Sequence, residues 1–459
     1  MDRTDLAFAG ADEQARMIER GEVSSRELVE LYLERIERLD PALNAYRVVF
    51  GERALAEAGQ ADARRRGGGA RPLLGVPMAV KDDTDVSGEI TLHGSHAHVE
   101  PARADSEVVR RLRTAGAVIL GKTHVPELTS EPYTESHVWG VTRNPWDLQR
   151  TPGGSSGGSG AAVAAGLAAA ALGSDGAGSI RIPAASCGLF GLKAQRGRVP
   201  TAPAVEPFQG LTIWGPITRR VADSARVYDA IRDGGPSFSE AAARAPGRLR
   251  IAVSTKPPPG ALRRPDAEVL GAVESTAALL RELGHEVVER ELDYGAAGVA
   301  TVARLLRGIR DAALEAPHPE RLSRRARGYM RLGALPGPLV ERAKAAAAGH
   351  ADRINRVFGE GFDAVITPMF TRRPLRIGEH EGHGALATLS RNLNYVPYPG
   401  VFNHTGQPAA AVPAGFTGDG FPLSVQLVGP PDGEPVLLSL SAQLEQARDW
   451  PAQRPAMAR

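Results

Sequence analysis

Two glycine-rich loops that contain serine are the parts of this chain whose residue types and spacing could do nucleophilic chemistry. The first reads GGSSGGSG at positions 153–160, and the second reads LGSDGAGSIRIPAASCG at positions 172–188. Glycine exposes backbone N–H groups without a blocking Cβ, which is what an anion or oxyanion pocket requires. A linker is not expected to be followed so closely by a buried helix and a second tight turn. The two loops therefore indicate an active site rather than a flexible connection.

Other motifs favour ordinary structural roles. GAVILGKT at 116–123 fits the phosphate-loop pattern, but its apolar residues between the glycines predict a strand and not a loop around phosphates. The histidines of HGSHAH (93–98) and EHEGHG (379–384) lack a firmly helical i, i+4 pair and a nearby cysteine, so we expect loop or surface histidines and no metal site. DDTD at 82–85 predicts turns in which Asp side chains accept nearby backbone N–H groups. Neither serine loop contains the G-x-S-x-G elbow of a Ser-His-Asp hydrolase.

The elements around the loops must bring them together. An Ala/Gly-rich helix is predicted over 159–172, where its small side chains would let other backbone segments pack closely. LLGVPMAV at 73–80 predicts a buried strand that runs into Lys81. The stretch 24–40 has apolar residues on one helical face and predicts an amphipathic helix that ends before Pro41. Both serine loops can then lie at one end of a compact strand and helix unit.

The second half of the chain has the alternation of a layered α/β protein. Residues 248–292 read as strand, helix and strand in succession. The stretches 362–370 and 421–429 predict core strands, with an Ala/Pro-rich segment at 405–415 between them. Residues 298–358 are mostly helical in pattern.

The amino-acid composition limits which class of protein this chain can belong to. The 459 residues are 42% hydrophobic and 24% charged, with a formal net charge of +2, so a folded soluble protein with no general attraction for nucleic acid or membrane is expected. The stretch 161–172 is too short to span a bilayer, and the first ten residues lack a signal-peptide pattern. The single cysteine, Cys187, excludes an intramolecular disulfide and fits a reducing compartment. We therefore expect a cytoplasmic protein with a small-molecule partner.

Three blocks of the sequence resemble the signature blocks of the amidase signature family. They are Lys81 within GVPMAVKDDTDVSG, GGSSGGS at 153–159, and DGAGSIRIPAASCGLFGLK at 175–193. The resemblance implies an α/β fold, an α/β/α sandwich around a large mixed β-sheet. It also implies one domain over residues 1–459, with N-terminal helices in 11–65 and a variable helical substrate-pocket region at about 298–358. Similar blocks continue along most of the chain, at 115–127, 142–147, 215–223, 403–415 and 423–429.

The resemblance also assigns roles by position. Ser179 matches the family nucleophile, Ser155 the bridging serine that follows a cis Gly-Ser peptide, and Lys81 the general base. The family uses no metal or cofactor. The backbone N–H groups of the oxyanion hole match Gly176, Ala177, Gly178 and Ser179, and the supporting residues are Gly154, Ser156, Asp175 and Arg181.

The implied chemistry agrees with the residue types. Only five of the 55 basic residues are lysines. A desolvated lysine has a lowered pKa and can act as a base, whereas arginine stays protonated. A serine between Lys81 and Ser179 can relay the proton because a hydroxyl both donates and accepts. Ala177 stands where the family usually has glycine, and it would cost free energy if that position required a positive φ.

The expected activity is hydrolysis of a small-molecule carboxamide to a carboxylate and ammonia or an amine through an acyl-enzyme. An alternative is the glutaminase subunit of a tRNA-dependent amidotransferase, and a third is a binding protein without catalysis. The sequence is compatible with a homodimer, and it does not identify the amide substrate. Acyl-pocket residues are expected in 123–143, 200–215, 298–358 and 370–404, with four aromatic candidates: Trp139, Trp214, Tyr395 and Tyr398.

Overall fold

A large mixed β-sheet organises the chain, which a computed structural model describes over residues 2–459. The strands of these residues are β1 (Tyr46–Val49), β2 (Pro77–Lys81), β3 (Val118–Thr123), β4 (Glu135–Ser136), β5 (Gly140–Val141), β6 (Ala170–Asp175), β7 (Phe190–Lys193), β8 (Ile213–Thr218), β9 (Arg250–Val253), β10 (Glu286–Glu289), β11 (Ala364–Pro368), β12 (Ala409–Phe416) and β13 (Pro422–Val428). Eleven of them form the sheet in the order β1-β3-β2-β6-β8-β7-β12-β13-β11-β9-β10, and β4 and β5 form a separate pair. The α/β fold class and the mixed sheet are confirmed.

The helices pack against this sheet. Along the chain, most of them lie between two of its strands. Over residues 2–459 they are α1 (Arg3–Ala7), α2 (Ala11–Arg20), α3 (Ser25–Leu43), α4 (Gly51–Arg66), α5 (Glu107–Thr114), α6 (Gly157–Ala164), α7 (Arg181–Ser186), α8 (Pro207–Gly210), α9 (Val221–Ile231), α10 (Phe238–Ala243), α11 (Ala267–Glu282), α12 (Ala297–Glu315), α13 (Arg324–Leu332), α14 (Gly337–Ala345), α15 (Ala347–Gly359), α16 (Ala385–Tyr395), α17 (Gly400–Thr405) and α18 (Glu434–Arg448). Short 3-10 turns lie at Glu127–Thr129, Pro319–Arg321, Trp450–Ala452 and Ala456–Ala458. Within the described residues, none of the helices combines the length and the hydropathy needed to span a bilayer.

The direction of three neighbouring strands places the candidate residues at one edge. β2 lies between β3 and β6 and is parallel to both. The carboxyl ends of parallel strands meet at the same edge of a sheet, which is where α/β proteins bind ligands. Lys81 ends β2 and Asp175 ends β6. The loop that follows β6 therefore begins beside the lysine.

The predicted helix over 159–172 is wrong in its second half. α6 ends at Ala164, and the chain turns at Gly166, whose φ of 65° is left-handed. Residues from Ala170 onward form β6, which is buried along its whole length. Alanine and glycine have no side chain that favours a strand, so the sequence signal was helical, but a central place in the sheet overrides propensity.

One further prediction needs correction, and one segment for which the sequence predicts no element forms a strand. α3 continues through Pro41 to Leu43 because a proline in the last turn removes a single backbone hydrogen bond, and the Asp40 carboxylate then accepts the N–H groups of Ala45 and Tyr46. The Ala/Pro-rich segment at 405–415 contains most of β12, a central strand. Its register shifts just after Pro413, so the ladder accommodates a residue that has no N–H to donate.

We expect Leu172→Ala to lower the free energy of unfolding by about 2–5 kcal/mol, because Leu172 is fully buried in β6 and its loss leaves a cavity. Leu314→Ala is the matched control, since Leu314 on α12 is 56% exposed and should change stability by less than about 0.5 kcal/mol. Urea unfolding followed by circular dichroism measures both. Equal midpoint shifts in the two variants would contradict the placement of residues 170–175 in a central strand.

Candidate active site

A cavity of about 770 Å³ opens at the carboxyl edge of β2 and β6. Ser155 and Ser179 both line it, as do Asp83 and Ser174. The residues of the two glycine-rich loops are therefore brought together by the fold, as the sequence predicts. Lys81 lies just behind the wall of the cavity, with no exposed surface.

Lys81 is held by three side chains. Its Nζ donates hydrogen bonds of 2.7 Å to Ser155 Oγ and 2.7 Å to Ser174 Oγ, and it lies 3.1 Å from Asp83 Oδ2. Burial lowers the pKa of Lys81, and the neighbouring Asp83 carboxylate counteracts part of that lowering. The result is an amine that loses its proton more readily than a solvent-exposed lysine.

Sequence reasoning missed Asp83 and Ser174 as partners of the lysine. Ser174 Oγ donates a 2.5 Å hydrogen bond to Asp83 Oδ2, so the three groups form one connected cluster. Two signals were present in the sequence. Asp83 follows Lys81 by two residues, and Ser174 lies within the second glycine-rich stretch that contains serine. Neither signal points to a lysine partner without the strand order.

The 82–85 run begins in a turn, as predicted, but within residues 2–459 its carboxylates accept side-chain donors and no nearby backbone N–H group. The Asp82 carboxylate pairs with Lys122 at 2.9 Å and with Arg47, and Asp83 pairs with Lys81. The Asp85 carboxylate accepts the Thr91 hydroxyl. The first two carboxylates balance buried cations because a buried ammonium group needs a nearby opposite charge.

Ser155 follows a tightly packed glycine. The Gly154–Ser155 peptide is cis, as the resemblance implies. A Cβ on Gly154 would lie 2.6 Å from the carbonyl oxygen of Glu131 and 2.6 Å from the Tyr133 nitrogen, so only glycine fits against this backbone. The next residue, Ser156, donates its hydroxyl to the Ser174 carbonyl at 3.2 Å. These contacts hold the first glycine-rich loop against β6 and the 131–133 segment.

Ser179 lies in the turn between β6 and α7, half-buried on the cavity wall. Its hydroxyl has no hydrogen bond to Ser155 or to Lys81 among the described residues, which contain all three side chains. The structure thus joins Lys81 to Ser155 directly and places Ser179 on the same cavity.

The Asp175 carboxylate organises the turn that precedes Ser179. It accepts the Gly178 N–H at 2.6 Å and the Ile180 N–H at 3.2 Å. The Gly178 N–H is therefore occupied, which corrects its assignment to the oxyanion hole. Within the described residues, the backbone N–H groups of Gly176, Ala177 and Ser179 have no hydrogen-bond acceptor, so they remain available as donors to an oxyanion.

Arg181 fixes the position of Asp175. The two side chains are fully buried and pair at 2.9 Å. Burial by itself would raise the pKa of Asp175, but the Arg181 guanidinium holds it far below its usual value. Asn403 and Gln426, which sequence reasoning missed, accept hydrogen bonds of 2.6 Å each from Arg181. The pair thus ties the turn to the distant strand β13 and helix α17.

Ala177 does not strain the turn. The positive φ belongs to Gly178, at 120°, and Ala177 is outside the set of left-handed residues. A Cβ on Gly178 would lie 2.8 Å from Pro399. The position that needs glycine is therefore 178, and alanine at 177 carries no backbone penalty.

The structure also places the phosphate-loop-like motif and the histidines that the sequence analysis considered. The strand predicted over 117–120 is confirmed in β3, which continues through GKT to Thr123, and Lys122 pairs with Asp82. His93 and His98 lie in a loop and line the cavity, whereas His380 is buried and not at the surface. Over residues 2–459 no group of three or more His, Cys, Asp or Glu residues has the arrangement of a metal site.

The walls of the cavity come mainly from the segments that the sequence indicated. Helix α12 contributes an aliphatic row, and segments 128–132, 204–214 and 389–401 supply the rest. The loop at 258–261 also lines the cavity and was missed. Of the four aromatic candidates only Trp214 lies on the wall. Trp139 borders a separate small cavity, Tyr395 stacks on Phe370, and Tyr398 donates to the Thr255 carbonyl.

We expect Gly178→Ala to lower kcat/KM by about tenfold or more and to destabilise the fold by about 1–3 kcal/mol, since alanine strains the left-handed turn and meets Pro399. Ala177→Gly is the matched control, because its backbone needs no positive φ. Its loss of kcat/KM should be clearly smaller. A larger loss in Ala177→Gly than in Gly178→Ala would refute the assigned geometry of the turn.

Known proteins share this architecture and sequence. A model of the amidase family matches residues 27–438. The chain is 53% identical, over 462 residues and the whole length of both proteins, to "Putative amidase AmiB2" of Mycobacterium tuberculosis H37Rv. It is 35% identical over 507 residues to the 6-aminohexanoate-cyclic-dimer hydrolase of Paenarthrobacter ureafaciens, covering 100% of this chain and 98% of that protein.

Solved structures give the same result. The structure of a 6-aminohexanoate cyclic dimer hydrolase complexed with substrate superposes with a TM-score of 0.87 at 30% identity, covering 99% of this chain and 100% of that one. Sequence and fold agree over nearly the entire length. The chain therefore belongs to the amidase signature family and is an amide hydrolase.

Proposed function

We propose that this chain hydrolyses a small-molecule carboxamide through an acyl-enzyme on Ser179, with Ser155 as proton relay and Lys81 as general base. The observation that supports this most is the 2.7 Å hydrogen bond from Lys81 Nζ to Ser155 Oγ beside a cavity that Ser179 also lines. A buried amine with a lowered pKa is suited to accept a proton from a hydroxyl.

In the first step Ser179 Oγ attacks the amide carbonyl carbon. Its proton passes to Ser155 as the Ser155 proton passes to the neutral amine of Lys81. This transfer needs a hydrogen bond between the two serine hydroxyls. We expect it to form when the substrate is bound, since catalytic hydrogen bonds are often loose in the free enzyme and tighten in the complex.

Negative charge then develops on the former carbonyl oxygen. The free N–H groups of Gly176, Ala177 and Ser179 are the donors we assign to it, and Asp175 holds their turn in place. Donors that are fixed before the reaction stabilise such charge without reorganising. Proton return through Ser155 to the leaving nitrogen breaks the C–N bond and releases ammonia or an amine.

Water completes the reaction. It attacks the acyl group on Ser179 and gives up one proton through Ser155 to Lys81. That proton returns to Ser179 as the ester C–O bond breaks, and the released carboxylic acid loses its remaining proton to water or to the released ammonia or amine, which leaves the carboxylate. Every proton in this sequence moves between residues of the chain, substrate and water. No observation favours the alternative role as a glutaminase subunit over this one.

Ser179→Ala should lower kcat on simple aliphatic and aryl amides by at least about a thousandfold, because the acyl-accepting oxygen is removed. Hydrolysis measured by ammonia or amine release, with intact-protein mass spectrometry after a fluorophosphonate probe, tests this. Wild type should gain one adduct, and the variant none.

Ser130→Ala is the control for this experiment, because Ser130 lines the same cavity but donates its hydroxyl to the Glu127 carbonyl. It should keep both turnover and labelling. Turnover retained by Ser179→Ala, or an adduct mapped to a different serine, would overturn the assignment of the nucleophile.

Asp83→Asn should shift the acidic limb of the kcat/KM profile to lower pH by about one to three units. The Asp83 carboxylate favours the protonated form of Lys81, so its removal lowers the pKa of Lys81 and keeps the amine neutral at lower pH. The introduced amide still offers an oxygen to the Ser174 hydroxyl. The pH profile of both proteins on one amide gives the measurement.

Asp85→Asn provides the comparison, since that carboxylate accepts the Thr91 hydroxyl and does not contact Lys81. Its profile should coincide with that of the wild type. If the acidic limb of the kcat/KM profile does not move in Asp83→Asn, then the protonation of Lys81 does not determine that limb.

A further inference from the structure

The charged residues on the cavity wall are all acidic. Within residues 2–459 no arginine or lysine lines the cavity, although the chain has 55 basic and 53 acidic residues. The rest of the wall is mainly aliphatic. A carboxylate on the substrate would find no lysine or arginine to pair with there, whereas an apolar or positively charged substrate would be accommodated. The acidic lining residues are Asp83, Glu131, Glu206, Asp311 and Glu315.

Most of these carboxylates are already engaged or lie in solvent. Asp83 pairs with Lys81, Glu206 with Lys344, and Asp311 with Arg307. Glu315 is exposed. Glu131 differs, since its side chain is 5% exposed and its nearest cation, Arg325, is 3.9 Å away with its hydrogen bonds directed elsewhere. Among the carboxylates that line the cavity, it is the buried one whose charge is least compensated.

Three oxygens at this place lack a hydrogen-bond partner. Glu131 Oε2 accepts the Asn392 amide at 2.6 Å, whereas its Oε1 has no hydrogen bond of ordinary geometry, although the hydroxyls of Tyr329 and Tyr133 lie near enough to act on the Glu131 carboxylate and lower its pKa. Asn392 Oδ1 and Tyr329 Oη are also buried without a partner, and all three residues line the cavity. Buried polar atoms are normally hydrogen-bonded, so three orphaned oxygens together indicate a missing donor.

The missing donor is best matched by an ammonium group. The carboxylate and amide oxygens only accept, the phenol oxygen accepts and also donates its single proton, which can satisfy just one of the other two, and a primary ammonium has three N–H donors. It would also supply the charge that the buried carboxylate needs. Burial raises the pKa of Glu131 to about 7, although Arg325 acts to lower it, so a bound cation would favour the ionised form.

The backbone of Glu131 packs against the first glycine-rich loop, and the cluster shares one cavity with Ser155 and Ser179. The carbonyl oxygen of Glu131 is 2.6 Å from the place where a Cβ of Gly154 would lie, and Ser155 follows directly. Tyr329 on α13 and Asn392 on α16 approach the cluster from the helical wall of the cavity. A ligand that bridged the cluster and Ser179 would stay inside one cavity.

We propose that Glu131, Tyr329 and Asn392 form a subsite for a primary ammonium group, so that the enzyme prefers aliphatic amides that carry an amino group. The inference rests on the proposed function for the hydrolysis itself. The binding of the amino group is a separate property and can be measured without turnover.

The kinetic experiment compares three amide series of increasing chain length: alkanamides, ω-aminoalkanamides and ω-carboxyalkanamides. At the chain length that gives the highest kcat/KM, the wild-type kcat/KM for the ω-aminoalkanamide should be about tenfold or more above that for the alkanamide. The ω-carboxyalkanamides should have the lowest kcat/KM. Glu131→Gln should reduce that ratio at least about tenfold, mainly through KM. Tyr329→Phe should reduce it less.

Glu315→Gln is the matched control, since it removes one negative charge from the exposed part of the same wall. Its ratio should stay within about twofold of wild type. Thermal unfolding of each variant checks that the fold is kept. An unchanged ratio in Glu131→Gln, or an equal fall in Glu315→Gln, would overturn the subsite.

Calorimetry on Ser179→Ala separates the subsite from the reaction. This protein should bind the aminoalkanamide about tenfold more tightly than the alkanamide, and adding Glu131→Gln should abolish the difference. Equal affinities would overturn the subsite whatever the activity. Discrimination in binding together with no hydrolysis of any amide by the wild type would support the subsite and overturn the proposed function alone.

Discussion

The burial of one ammonium group at the end of β2 is the constraint on which the rest of the site depends. Lys81 has no contact with solvent, so its proton is costly to hold without the Asp83 carboxylate and the hydroxyls of Ser155 and Ser174. The same surroundings lower its pKa and direct it toward a serine. Position, basicity and reach of the amine thus follow from a single packing arrangement.

Close backbone packing makes that arrangement fit. Every residue of α6 is buried, and it packs against β2, β3 and β6 because its side chains are small. Gly154 fits between the 131–133 backbone and the serine that follows it. Helix, strand and loop can therefore approach one another at distances that larger residues would prevent.

The buried Asp175–Arg181 pair holds a second part of the site, the turn that contains Ser179. It binds no substrate group, but it fixes two backbone N–H groups of the Ser179 turn and joins them to α17 and β13. The cavity beyond this rigid turn is bounded by helix α12 and by the 128–132 and 389–401 segments. A fixed serine turn thus faces walls built from distant parts of the chain, and those walls can vary without moving Lys81, Ser155 or Ser179.

Residue types and local spacing predicted the α/β fold class, the amide-hydrolase family and the candidate site residues. The two serine loops, the lysine after a buried strand and the Asp175 to Arg181 turn are short-range patterns whose physical meaning needs few other residues. Tertiary structure decided the rest: that residues 170–175 form a strand, that Gly178 gives its N–H to Asp175, and that Glu131 meets Tyr329 and Asn392. These depend on strand order and on contacts between residues up to about 260 positions apart. A pattern along the chain carries no record of such contacts, because they arise only when the sheet has formed and its helices have packed.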